Sequence, residues 1–213
     1  DAHTDLLLYD REGGLGLFLT TDGAGGIAEL QMHTGWDPIW DVIVPGAFGG
    51  DGHTDLLLYD REGGLGLFLG TDGAGGIYEL QMHTGWDPIW DQIVPGAFGG
   101  DGHTDLLLYD REAGLGLFLG TDGAGGIYDL RMYSDWDPIW DQIVPGAFGG
   151  NGHTDLLLYD REGGLGLFLA TDGAGGIAEL RMHADWDTTW SQIVGGAFGG
   201  SSSTDLHFYK REP

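Results

Sequence analysis

The chain has no cysteine among its 213 residues, which excludes a disulfide framework and any thiolate metal site. Cationic side chains are almost as scarce: one lysine, Lys210, and few arginines stand against 34 aspartates and glutamates, for a net charge of −26. A field of that sign repels polyanions, so no nucleic-acid partner is expected, and it favours cations or neutral ligands. No apolar run approaches the roughly 18 residues of a spanning helix, so no membrane insertion is expected either. Nor do the opening residues read as a signal peptide. A mature domain exported from the cell has this composition, and a secreted, extracellular location is the expectation.

Helical periodicity is also missing, and repetition takes its place. Residues 1–50 and 51–100 differ only at Ala2/Gly52, Thr20/Gly70, Ala28/Tyr78 and Val42/Gln92. Two further copies follow at 101–150 and 151–200, with a partial fifth at 201–213. A fixed period near 50 residues is the mark of a propeller or a related repeat architecture. Copies this alike carry little information about which residues matter.

Each unit divides into four short apolar runs, punctuated by many of the chain's 43 glycines. "TDLLLYDRE" (54–62) has apolar residues on both faces, the pattern of a strand covered on both sides. "GLGLFLG" (64–70) is similar. "GIYELQMH" (76–83) places Ile77, Glu79, Gln81 and His83 on one face, as an outer strand with a wet side would. "DQIVPGAFGG" (91–100) carries Pro95, tolerated on an edge strand such as the innermost strand of a propeller blade. The predicted fold is therefore all-β: a single propeller domain over 1–213, with four blades of four antiparallel strands. In this reading the last inner strand (192–198) returns to complete the first blade and closes the ring. The "TDL" strand then occurs once too often, at 4, 54, 104, 154 and 204, and the surplus copy is a route to a homodimer.

"PGAFGGDGHTDLLLYDR" (95–111) resembles the FG-GAP/VCBS-type repeat of integrin-like propellers, and the wider unit is similar to uncharacterised bacterial secreted repeat proteins. The resemblance implies a calcium loop on a surface or secreted protein that adheres or binds sugars. Its ligand positions fall on Asp51 and Asp55, Asp101 and Asp105, and Asn151 and Asp155, while the family's first two ligands fall on Ala47 and Gly49. Calcium affinity follows the number of charged ligands, so no cofactor is expected, with calcium the one candidate ion. The alternative for these aspartates is an Asx-type turn that bonds loop backbone.

The most site-like stretch is "HTGWDPIWDQ" (83–92). Indole faces pack against sugar C–H surfaces, and adjacent carboxylates accept bonds from hydroxyls. The candidate ligand-binding residues are Trp36, Asp37, Trp40 and Asp41; Trp86, Asp87, Trp90 and Asp91; Trp136, Asp137, Trp140 and Asp141; and Trp186, Asp187 and Trp190. Their alternative role is to fill space between blades. Every unit carries the same titratable set, whereas a catalytic site is normally one asymmetric constellation, so the chain is expected not to be an enzyme. The expectation from sequence is a multivalent, lectin-like module whose partner is a glycan or glycoconjugate. The competing expectation is a structural or adhesive repeat that meets protein, its own copy included.

Overall fold

The computed structural model describes residues 3–199 and 202–210; position 200 of the fourth repeat and positions 201 and 211–213 of the expected partial repeat lie outside them. Every regular element among the described residues is a β-strand, and all strand pairs are antiparallel. The first sheet holds β1 (Leu6–Asp10), β2 (Leu15–Thr21) and β3 (Ile27–Thr34) in chain order. The second holds β4 (Val42–Gly46), β5 (Asp55–Asp60), β6 (Leu65–Thr71) and β7 (Ile77–Thr84). The third holds β8 (Gln92–Gly96), β9 (Asp105–Asp110), β10 (Leu115–Thr121) and β11 (Ile127–Tyr133). The fourth repeats it with β12 (Gln142–Gly146), β13 (Asp155–Asp160), β14 (Leu165–Thr171) and β15 (Ile177–His183). A two-stranded sheet of β16 (Gln192–Gly196) and β17 (Asp205–Tyr209) ends the series.

The chain falls into two compact units, residues 1–88 with 123–125 and residues 89–122 with 126–213. In each, a "DLLLYD" strand with neighbours on both edges is the buried one. β5, β9 and β13 are buried along their whole length, as apolar residues on both faces predict. The proline-bearing strand lies at the sheet edge, where Pro95 pairs with Leu106. In the second unit, Val94, Phe98, Leu107 and Phe118 pack against Trp140, Ile143 and Leu156 of the next sheet. That seal between successive sheets is the core.

Two expectations are corrected. The outer strand does not alternate with period two, because a bulge shifts the register opposite Phe68/Leu69, where Gln81 and Glu79 are the partners and Leu80 is extra. The bulge leaves Ile77, Leu80 and His83 half-buried and Met82 exposed. The second correction concerns closure: β16 does not pair with β1 but with β17, through Val194–His207 and Gly195–Leu206. β17 offers β16 the same "TDL" edge as β1 and follows it directly in the chain, so the pairing costs only a short loop.

Candidate functional site

The tryptophan–aspartate stretch joins each outer strand to the following edge strand, and the copy at 136–141 shows how it is held. Its first turn is fixed by a bond from the Trp136 N–H to the Gly114 carbonyl at 3.0 Å. Gly114 has φ 64°, and a Cβ there would lie 2.3 Å from the Trp136 carbonyl oxygen, so the close approach requires glycine. The indole lies over Gly116 and 5.6 Å from the Tyr109 ring. The Tyr109 hydroxyl donates to the Asp137 carbonyl at 3.1 Å, and burial pushes its pKa up to about 12. Arg111 donates from Nε to the Pro138 carbonyl at 2.7 Å and pairs with Asp141 at 2.8 Å. Asp141 in turn accepts the Arg161 N–H at 2.8 Å, while its own N–H reaches the Tyr159 carbonyl. The corner is thus latched from three neighbouring segments.

The two tryptophans of each pair divide the work. Trp40, Trp90 and Trp140 are buried and belong to the core, whereas Trp36, Trp86, Trp136 and Trp186 are half-buried. Trp190 is also half-buried, 5.5 Å from Phe208. None of the eight is exposed. Beside the half-buried member of each pair, Asp37, Asp87, Asp137 and Asp187 are all exposed. Asp41 and Asp91 are exposed as well, with Asp141 half-buried; Asp41 pairs with Arg11 at 3.1 Å. Each repeat therefore presents to solvent a part-covered indole beside an exposed carboxylate, which in Asp187 also accepts the Thr189 N–H at 2.9 Å.

The "GGDGHTD" loops are closed by protein donors. Asp105 is fully buried; its Oδ2 accepts the Phe98 and Gly99 N–H groups at 2.8 and 2.5 Å, and its Oδ1 accepts Thr121 N–H at 3.0 Å. Asp55 and Asp155 repeat this set. Asp101 accepts the His103 N–H at 3.0 Å, which holds its carboxyl below the usual range, and the Tyr128 hydroxyl at 3.1 Å. Asp51 does the same with His53 and Tyr78. Asn151 accepts from His153 and donates to the Thr171 carbonyl. Three N–H groups converging on one carboxylate make an anion cradle, so this donor set does not fit calcium, which wants six to eight oxygens. The loop is an Asx-type turn with a buried staple.

Several positions that vary between repeats also have structural roles. Gly70 and Gly120 lie under the rings of Tyr78 and Tyr128, their direct cross-strand partners, where a Cβ would come within 2.4 and 2.3 Å. Where the tyrosine is absent the glycine is absent too, as the pairs Thr20–Ala28 and Ala170–Ala178 show. Gln92 accepts from Ile143 N–H and Gln142 from Ile193 N–H, each at 2.9 Å, joining successive edge strands. His33 and His83 reach the Gly75 and Gly125 carbonyls at 2.7 and 2.8 Å, and Tyr133 reaches Gly175 at 3.1 Å in the same role. Sequence reasoning missed the latch made by Tyr109 and Arg111. Its only signal was a constant distance from "YDR" to the next "WDP".

No family model matches the chain, and no curated protein does. Among solved structures it is similar to a putative 6-phosphogluconolactonase from Bacteroides fragilis, at 13% identity and TM-score 0.57, over 97% of this chain and 55% of that one. It is also similar to the periplasmic gluconolactonase of Pseudomonas aeruginosa, at 14% identity and TM-score 0.52, over 96% of this chain and 53% of that one. The chain thus spans about half the length of either structure. These likenesses show the fold, an all-β repeat propeller. They also overturn the expectation that the chain is not an enzyme: the argument from repetition fails, because propellers of this fold carry the names of lactonases.

Proposed function

We propose that the chain is a multivalent propeller module that binds polyhydroxylated, carbohydrate-like ligands, with one shallow site at each tryptophan corner. The observation that carries this reading is the recurrence, at 36–37, 86–87, 136–137 and 186–187, of a half-buried indole beside an exposed aspartate. An apolar edge with a nearby acceptor suits a sugar's C–H face and hydroxyls. The net charge of −26 disfavours acidic glycans and leaves neutral ones. Four weak equivalent sites gain through avidity what each lacks. Two further points lend support: the "GGDGHTD" turn, with its FG-GAP/VCBS-type resemblance, and fold neighbours whose names concern sugar lactones. The periplasmic neighbour and the composition are in keeping with a place outside the cytoplasm.

The test spares the fold. Asp37, Asp87, Asp137 and Asp187 are changed together to Asn, which keeps the Tyr–carbonyl latches because those use backbone oxygens. Retention on a glycan array should fall at least tenfold while the melting temperature stays within a few degrees. An unaltered protein that binds no neutral glycan even at high concentration overturns the reading. Release of acid from gluconolactones by the unaltered protein would instead favour the chemistry named for the neighbours.

A further inference from the structure

The second sheet has another end, away from its tryptophan corner, where the β4–β5 and β6–β7 connections meet. Tyr78 sits there, laid across Gly70, its cross-strand partner. A Cβ on Gly70 would come within 2.4, 2.6 and 2.7 Å of Cζ, Cε2 and the hydroxyl oxygen. One face of the ring is therefore covered by backbone, and the 45% exposure of Tyr78 belongs to the other face. Tyr128 repeats the arrangement over Gly120 in the third sheet and is 43% exposed.

The hydroxyl groups are fixed as well. Tyr78 donates to Asp51 Oδ2 at 3.2 Å, and Tyr128 to Asp101 Oδ2 at 3.1 Å. Both oxygens of Asp51 are engaged, since Oδ1 accepts the His53 N–H at 3.0 Å and Oδ2 also stands 3.3 Å from His53 Nδ1. Among the described residues, no lysine or arginine pairs with Asp51, Asp72 or Asp101. Desolvation first, then the bond to Asp51 and the charges of Asp51, Asp55 and Asp72, raise the Tyr78 pKa, so the phenol keeps its proton. Asp101, Asp105 and Asp122 act on Tyr128 in the same order. Ring and carboxylate also come and go together. Where Ala178 replaces the tyrosine, Ala170 replaces the glycine and Asn151 the aspartate, its amide turned to the Thr171 carbonyl.

We propose that Tyr78 with Asp51, and Tyr128 with Asp101, form two binding sites for an organic cation of the quaternary ammonium class. The positive, apolar shell of such an ion rests on the negative face of an aromatic ring. A phenol that donates to a carboxylate offers a ring richer in electrons. The ion has no donors of its own, which suits a carboxylate whose oxygens are engaged but whose charge no lysine or arginine offsets. A neutral sugar fits less well, because its hydroxyls need acceptors that are free. The net charge of −26 sets the sign of the ligand by raising the concentration of any cation at the surface. Both sites lie at the end of their sheets opposite Trp86 and Trp136, so this inference and the carbohydrate reading stand or fall separately.

Choline is the probe and its uncharged carbon isostere the control, each titrated into the full chain at an ionic strength held constant with sodium chloride. The N-methyl proton resonance of choline should move upfield in the ring current of the tyrosines and saturate, with the isostere binding about fivefold more weakly. Gly70→Ala with Tyr78→Ala, combined with Gly120→Ala and Tyr128→Ala, copies the Ala170–Ala178 pair that the fourth repeat already holds, and should abolish the shift. Asp51→Asn with Asp101→Asn copies Asn151, keeps both rings, and should bring choline down to the affinity of the isostere. Equal affinity for choline and isostere in the unaltered chain, or no saturation, overturns the proposal. So does choline binding that survives the loss of both tyrosines, which would put the cation elsewhere on the acidic surface. A preference for charge that outlasts both Asn substitutions overturns it as well.

Discussion

β1 and β9 share the sequence Leu-Leu-Leu-Tyr-Asp and differ in almost everything else. In β9 each of these residues is buried; in β1, Leu6 and Leu8 are 44% and 53% exposed, while Leu7 and Tyr9 are half-buried. β9 has β8 on one edge and β10 on the other, whereas β1 has only β2. Burial in a repeat fold is therefore a property of the neighbours a strand has, as nearest-neighbour stability in such proteins implies. The pair is an internal control in which sequence is constant and surroundings change.

Leucine is where that control should give its largest difference. Leu107 is wholly enclosed, so Leu107→Ala loses both transfer free energy and a cavity term, about 2–5 kcal/mol. Leu7→Ala, on the same strand position beside an open cleft, should cost less than about 1 kcal/mol, because water already reaches the site. Chemical denaturation of the two variants checks this. Equal losses would mean that β1 is covered in solution.

The aspartate two residues before the leucine should give the next largest. Asp105 accepts three N–H groups out of water, and Asp105→Ala strands all three, at a cost of about 3 kcal/mol. Asp5 is exposed and holds the Thr21 N–H at 3.1 Å, so Asp5→Ala should cost about 0.5–1 kcal/mol. Thermal melts of the two variants separate the cases. Stabilisation of Asp105-containing protein by added calcium, lost in Asp105→Ala, would contradict the assignment of this carboxylate as a backbone staple.

These contrasts mark what could be read from sequence. The strands were legible because their apolar runs and glycine turns are local, and the edge position of the proline strand follows from its missing N–H. The phase of the outer strand was not, since the bulge at Leu80 inserts one residue with no compositional sign. The division of labour between Trp136 and Trp140 was equally hidden: it depends on Gly114 and Gly116, some 20 residues earlier, lying against the first indole. Nor could the partner of β16 be chosen, because β1 and β17 both open with the same "TDL" edge. Local chemistry identified the pieces; packing between pieces decided which were sites and which were joints.

Tyrosine gives the smallest effect and the cleanest comparison. Tyr9 and Tyr109 make the same bond, to the carbonyls of Asp37 and Asp137 at 3.0 and 3.1 Å, so a difference between them reports surroundings rather than partners. Burial raises the pKa of both, that of Tyr109 to about 12. The folded state holds the proton more tightly than the unfolded chain, in which tyrosine ionises near pH 10, so this contribution is intact below about pH 10. It is lost as pH rises from there toward about 12, where folded Tyr109 itself ionises. Alkaline denaturation should therefore begin above pH 10. Tyr109→Phe, which costs about 1–2 kcal/mol at neutral pH by orphaning a carbonyl, should flatten the alkaline slope. Tyr9→Phe should flatten it less, because the half-buried ring of Tyr9 has given up less water. The two slopes, read from denaturation midpoints at successive pH values, would coincide only if β1 were as enclosed as β9.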